Sequence, residues 1–202
     1  RTPNIPALAE DYAYLVAGLI DLYQTDFNAE WLSWAAQLTL AQQTLFADPQ
    51  SGALYSTTAD TDLLLRAIEA TDTALPTPTS VATLNALRLN ALNPNKKLSA
   101  SADKTLQHFH DRLSHDPVTL PALLSALDFK LSKTQKVSII GAPTSPPAVA
   151  FLAEFYRRYL PNAVVEFTQK KTPATAPLCT GTVCSLPTAD PKELRKMLAA
   201  RK

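Results

Sequence analysis

Between Leu8 and Phe46 two apolar stripes of helical period follow one another across a short polar turn, a pattern that folds as a helical hairpin. Tyr12, Leu15, Val16, Leu19, Leu22 and Tyr23 recur at the spacing of one helix face. Trp31, Leu32, Trp34, Ala35, Leu38 and Leu45 do the same beyond the turn Thr25-Asp26-Phe27-Asn28. Both tryptophans of the chain lie in the second stripe, so the hairpin carries a large share of the burial the fold can draw on.

The chain that follows reads as further paired helices. Ala47 to Gly52 is a turn and residues 53–57 form a short extended piece. Asp60 or Thr61 is placed to cap a helix running through Glu69. Pro76 and Pro78 forbid a continuing helix, and Thr79 or Ser80 is placed to cap the next one, Val81 to Leu92. Ser99 to His115 reads as one helix with Leu106, Phe109 and Leu113 in register; Asp116-Pro117 ends it and Leu120 to Lys130 is its partner. Short connections between such helices are the pattern of an αα-hairpin array.

At Lys136 the period changes. Val137-Ser138-Ile139-Ile140-Gly141 is a β-branched run, Pro146-Pro147 opens a helix through Tyr159, and residues 163–167 are a second β-branched run. Strand, helix, strand at this spacing predicts a small parallel βαβ unit. The tail adds a third short strand near residues 178–185 and a final helix capped by Asp190 with Pro191 at its first position. The expected fold is mainly α: helical hairpins over residues 1–132, then a small α/β unit over residues 133–202.

Composition narrows the function classes. A formal charge of +1 on 202 residues offers no basic excess for nucleic acid, and the clusters at 130–136, 170–171 and 192–202 read as solvated ends and loops. No apolar run is long enough to span a bilayer. No secretory signal opens the chain, and Arg1-Thr2-Pro3-Asn4 is not a translation start, so a processed or partial piece is expected. Two cysteines are too few for a disulfide scaffold, which makes a reducing, intracellular compartment the default and a mitochondrial one an alternative.

Several segments, in order, resemble one family: the large proteins typified by bacterial YyaL and animal spermatogenesis-associated protein. They are residues 10–15 (Glu-Asp-Tyr-Ala-Tyr-Leu), the run from Leu19 to Ala35, and Leu45-Phe46 with Gly52 and Tyr55. Residues 80–82, 87–89 and 117–127 follow. Residues 137–141, 160–162, 184–187 and 190–196 complete the set. The resemblance implies the C-terminal part of a longer protein that joins a thioredoxin-like domain to an α/α toroid similar to N-acylglucosamine 2-epimerase and six-hairpin glycosidases. It also implies a partner, because hairpins of a partial toroid keep an uncovered apolar face.

In such toroids a pocket is lined by inner-helix ends and loops at one mouth. The resemblance brings Glu10, Asp11, Tyr12, Tyr55, Thr77, Thr79 and Ser80 to that place as candidate ligand-binding residues. Where the family reads Glu-Pro-Ser-Gly-Asn-Ser, this chain has Leu75-Pro76-Thr77-Pro78-Thr79-Ser80, which lacks the carboxylate, glycine and amide. Ile68 stands where the family often has a basic residue. A site without charged groups has little acid–base capacity, so no catalytic residue is expected. Glu10 and Asp11 have a plainer reading as helix N-terminal acids that complement the macrodipole.

His108, His110 and His115 lack the short helical spacing of a metal set and read as surface or partly buried side chains; no metal is expected. Gly141-Ala142-Pro143 lacks the further glycines of a dinucleotide loop, and no cofactor is expected. Cys179 and Cys184, with four residues between them, are a thiol pair without thioredoxin spacing. They are two ordinary thiols or, as the family tail implies, a local disulfide. Two functions follow. One is a non-catalytic structural or accessory subunit in a larger assembly, an organellar one among the options. The alternative is the C-terminal portion of a carbohydrate-binding or sugar-isomerising enzyme whose catalytic groups lie on another segment.

Overall fold

The computed structural model describes residues 5–59, 63–170 and 172–199. The first two helices are α1 (Ala9–Asp26) and α2 (Ala29–Phe46), the hairpin expected from the stripes. The turn between them is made by Phe27, in the left-handed region at φ 59°, whose N–H donates to the Tyr23 carbonyl at 2.7 Å. Asn28 then caps α2 by accepting from the Glu30 N–H at 3.0 Å. Gln42, buried in α2, donates to the Ala9 carbonyl, and buried Asn85 donates to that of Ala13, each at 2.8 Å. Gln42 thus closes α2 onto the start of α1, and Asn85 ties the hairpin to the helix that follows, α3 (Pro78–Leu92).

α3 begins three residues before the expected Val81. Thr77 is its cap, accepting from the Ser80 N–H at 3.1 Å, and Pro78 occupies the first turn, where a missing N–H costs no helical bond. The expected helix through Glu69 does not form over residues 63–69; its caps, Asp60 and Thr61, lie outside the described residues. The Ser56 N–H donates instead to the Ala67 carbonyl at 2.9 Å, and Tyr55 and Ile68 form an antiparallel bridge. Backbone bonds made across to residues 55–56 replace those a helix would make along itself.

The expected helix from Ser99 to His115 is two: α4 (Lys96–His108) and α5 (His110–His115), parted at Phe109, where φ −91° and ψ 9° depart from helical values. A 3₁₀ turn (Pro117–Thr119) leads into α6 (Pro121–Leu131). The chain forms two compact units, and the division between Asp128 and Phe129 falls inside α6.

The second unit is built on β1 (Gln135–Gly141) and β2 (Ala163–Gln169), parallel neighbours joined through α7 (Pro146–Tyr156), the βαβ arrangement the sequence predicts. β3 (Leu178–Thr180) runs antiparallel to β1, and β4 (Val183–Cys184) pairs with β3, giving the order β2-β1-β3-β4. Val137, Ile139 and Val165 are fully buried, as are Phe151 of α7 and Leu194 of α8 (Pro191–Ala199). Asp190 caps α8 by accepting from the Lys192 N–H at 2.9 Å. Glu154 on α7 accepts two bonds from the Arg195 guanidinium, at 2.7 and 2.5 Å, and this fork fixes α8. The fold is therefore mainly α with a small C-terminal α/β unit.

Candidate functional site

The seven candidate ligand-binding residues gather at one end of the first unit, where α1 and α3 begin and α2 ends. The Ala9 N–H donates to the Ser56 carbonyl at 3.0 Å, and the Tyr55 N–H to that of Phe46 at 2.9 Å. These bonds bring residues 53–57 against both helix ends. Ala9, Phe46, Leu54 and Ala82 form a small buried cluster there, with Tyr12 packed on it edge-to-face against Phe46 at a ring distance of 5.5 Å.

The hydroxyls of Thr77, Thr79 and Ser80 are bonded inside the fold, on residues 1%, 3% and 0% exposed. Thr77 Oγ1 donates to Ser80 Oγ at 2.8 Å, and Ser80 Oγ donates to Asp72 Oδ1 at 3.0 Å. Thr79 Oγ1 accepts from the Leu54 N–H at 2.9 Å. Asp72 also accepts from the Thr77 N–H at 2.7 Å and the Ala122 N–H at 2.9 Å. One carboxylate thus fixes the starts of both α3 and α6. Aligned hydroxyls ending on an anion polarise one another, which strengthens the chain.

Glu10 is exposed, and Asp11 Oδ2 accepts from the Leu8 N–H at 2.8 Å, a helix-start role. Tyr55 lies beneath the Arg66 guanidinium, 4.1 Å from its ring centre. Arg66 also reaches the Thr57 carbonyl through Nε and Nη2, at 3.1 and 2.8 Å. Tyr14, Glu69, Asp72 and Arg66 were not singled out from the sequence, yet they belong to this end. The Tyr14 hydroxyl donates to the Pro76 carbonyl at 2.9 Å. Burial, then the nearby carboxylates of Asp72, Glu10 and Glu69, raise its pKa and keep it a donor. Ser56 Oγ donates to Glu69 Oε1 at 3.2 Å. Asp72 had a faint signal, lying five residues before a Thr that opens a helix.

The histidines are scattered: His108 meets the Phe109 ring, His110 faces Asp111, and His115 Nδ1 lies 2.8 Å from the Asp111 carbonyl. Among the described residues no group of His, Cys, Asp and Glu is placed to hold a metal ion. No described helix is long and apolar enough to cross a membrane. Cys179 and Cys184 are joined as a disulfide across the β3–β4 hairpin.

A second feature is apolar. Along α1 and the residue before it, Leu8, Tyr12, Leu15, Leu19 and Leu22 recur at alternating four- and three-residue steps, Leu19 buried and Tyr12 packed on Phe46. On α2, Trp31, Trp34, Leu38, Ala41 and Leu45 recur at three- and four-residue steps. Both are the heptad spacing of a helix–helix seam. Leu8, Leu15 and Leu22 are nevertheless exposed on α1, as are Trp34 and Leu45 on α2, with Leu15 at 52% and Trp34 at 56%. The fully buried face of α1 is a different one, Ala9, Ala13, Val16 and Ile20. The hairpin therefore keeps a second apolar edge turned to solvent.

No family model matches the chain. Spermatogenesis-associated protein 20 of Rattus norvegicus is 33% identical over 210 positions, covering 94% of this chain. The Homo sapiens protein of that name is 32% identical over the same share. An uncharacterized Caenorhabditis elegans protein is 29% identical over 96% of the chain. The chain spans 27% of the length of the rat and human relatives. The match runs over nearly the whole chain, and the chain belongs to the spermatogenesis-associated protein 20 family, corresponding to its C-terminal part.

Proposed function

We propose that this chain is a packing module, a non-catalytic structural part of a larger assembly in which its hairpin closes against further helices. The single observation that carries this is the exposed heptad edge of α1 and α2. Half-exposed leucines and a tryptophan at that spacing would each contribute about 1 kcal/mol if a partner completed their burial. The occupant is a helical hairpin with a matching apolar stripe, of the kind expected in the three-quarters of the relatives' length that this chain does not span. The inward use of Thr77, Thr79 and Ser80 supports the same reading, since their hydroxyls hold helix starts together.

Hydroxyl-radical footprinting of the isolated 202-residue chain and of the native molecule purified from its source tests this. Trp34, Leu15 and Leu22 are expected to label strongly in the isolated chain and at least fivefold less in the native molecule. Equal labelling in both would remove the proposal. A second reading, a polyol site completed by another segment, is favoured by the Tyr14 hydroxyl and the exposed Glu10 carboxylate at the same end. Calorimetry of the native molecule with simple sugars separates the two; micromolar binding that Glu10→Gln abolishes would favour the second.

A further inference from the structure

The β3–β4 hairpin carries chemistry that the packing role does not use. Cys179 and Cys184 face each other across it and are bonded, Cys184 exposed and Cys179 half-buried. On the other side of β3, Lys136 of β1 is the register partner of Cys179. Directly opposed residues share a face with Cβ atoms roughly 4.5–5.5 Å apart, so the Lys136 and Cys179 side chains leave the sheet as neighbours on one face. Lys136 is itself only 26% exposed, with its ammonium 3.4 Å from Glu166 on β2.

We propose that Cys179–Cys184 is a thiol–disulfide exchange site, opened by a dithiol reductant at Cys184 with Lys136 stabilising the departing Cys179 thiolate. A reductant thiolate attacks Cys184 Sγ, forming a mixed disulfide as the Cys179–Cys184 bond breaks and its electron pair leaves on Cys179. The reductant's second thiol, losing its proton, then attacks its own sulfur in the mixed disulfide and releases Cys184 as thiolate. Two electrons pass to the protein, the dithiol becomes a disulfide, and both cysteines take up protons as solution pH requires. The Lys136 ammonium, turned from Glu166 on β2 toward β3, would lower the leaving sulfur's pKa and speed its departure.

A purely mechanical staple is the competing role, and two observations count against it. The loop closed is short, a separation of five residues, and the entropy a bridge removes from the unfolded chain grows with loop length. The hairpin is also held without sulfur. The Ser185 N–H donates to the Leu178 carbonyl at 2.9 Å, the Leu178 N–H donates to Ser185 Oγ at 3.1 Å, and Ala176 and Thr188 exchange backbone bonds at 2.9 and 3.3 Å. The strands can therefore stay in register while the bond opens and closes.

The full chain is incubated with dithiothreitol without denaturant, quenched by alkylation and read by mass spectrometry, with circular dichroism in parallel. Both cysteines are expected to become alkylated while helical signal is kept, and oxidised dithiothreitol is expected to close the bond again. Lys136→Met should slow opening about tenfold. Glu166→Gln, which releases the lysine from its carboxylate, should speed it, whereas loss of a merely structural ion pair would move both variants the same way. Reduction only at urea concentrations that unfold the chain would overturn the proposal. So would failure to reclose, Lys136→Met opening as fast as the parent, or both variants shifting together.

Discussion

Asp72 shows how one side chain can organise a helix junction. Its carboxylate accepts from the Thr77 N–H, the Ser80 hydroxyl and the Ala122 N–H, so Asp72→Ala leaves three donors without their partner. Unfolding by urea is expected to register a loss of about 1–3 kcal/mol, with Thr77→Ala costing about 1 kcal/mol through the cap alone. Gly141 is constrained differently. A Cβ there would meet the Ala174 Cα at 2.9 Å, and backbone cannot move aside as a side chain can. Gly141→Ala should therefore destabilise the second unit by about 1–3 kcal/mol in the same measurement. Of these roles only that of Asp72 left a trace in the sequence, and a faint one. A Thr followed by Pro announces a helix start only weakly when Thr79 and Ser80 are equally good caps nearby, and which one serves is settled by Asp72, a contact between loop and helix.

Helices and strands were far more legible, for a reason visible in α1 and α2. Period fixes that a stripe is helical and which residues share it, and both helices lie where the stripes place them. What period cannot fix is which part of a broad stripe meets the core. Leu15 and Leu22 read as core residues beside Val16 and Leu19, yet stand exposed while Val16 is fully buried. The missing helix over residues 63–69 fails for a related cause. Ala67 and Ile68 have long-range backbone partners at Ser56 and Tyr55, and nothing local in the sequence reports such pairings. The exposed edge gives a prediction at this scale. Trp34→Ser should change the isolated chain's stability by less than about 0.5 kcal/mol, unlike a core tryptophan, because its side chain is already half in water. A loss of several kcal/mol on thermal or urea unfolding would mean that Trp34 is internal packing rather than a free edge.

Across the whole molecule the two units differ in what acid removes. Glu154 is held below its ordinary value of 4.5, first by the hydrogen bonds from Arg195 and then by the charges of Arg195, Arg157 and Arg158. A carboxylate whose folded pKa is depressed contributes stability above its unfolded value, and that contribution is lost as pH falls through the lower folded one. The Glu154–Arg195 fork joins α7 to α8, so the loss falls on the second unit. The first unit has its own lowered carboxylates, Asp26 at the end of α1 through the Asn28 N–H and the Trp31 indole of α2, and Asp48 through the Ser51 hydroxyl, each bonded within a few residues of itself, whereas Glu154 reaches Arg195 on a distant stretch of chain. Both tryptophans, Trp31 and Trp34, are in the first unit, so their fluorescence reports that unit alone. Amide exchange in β1 reports the second. As pH is lowered below 4.5, β1 amides are expected to lose protection before tryptophan fluorescence changes. Glu154→Gln should expose them already at pH 7 and flatten their further response to acid. Coincident transitions in the parent chain, or an acid response of β1 unaltered in Glu154→Gln, would show that the fork does not govern the second unit.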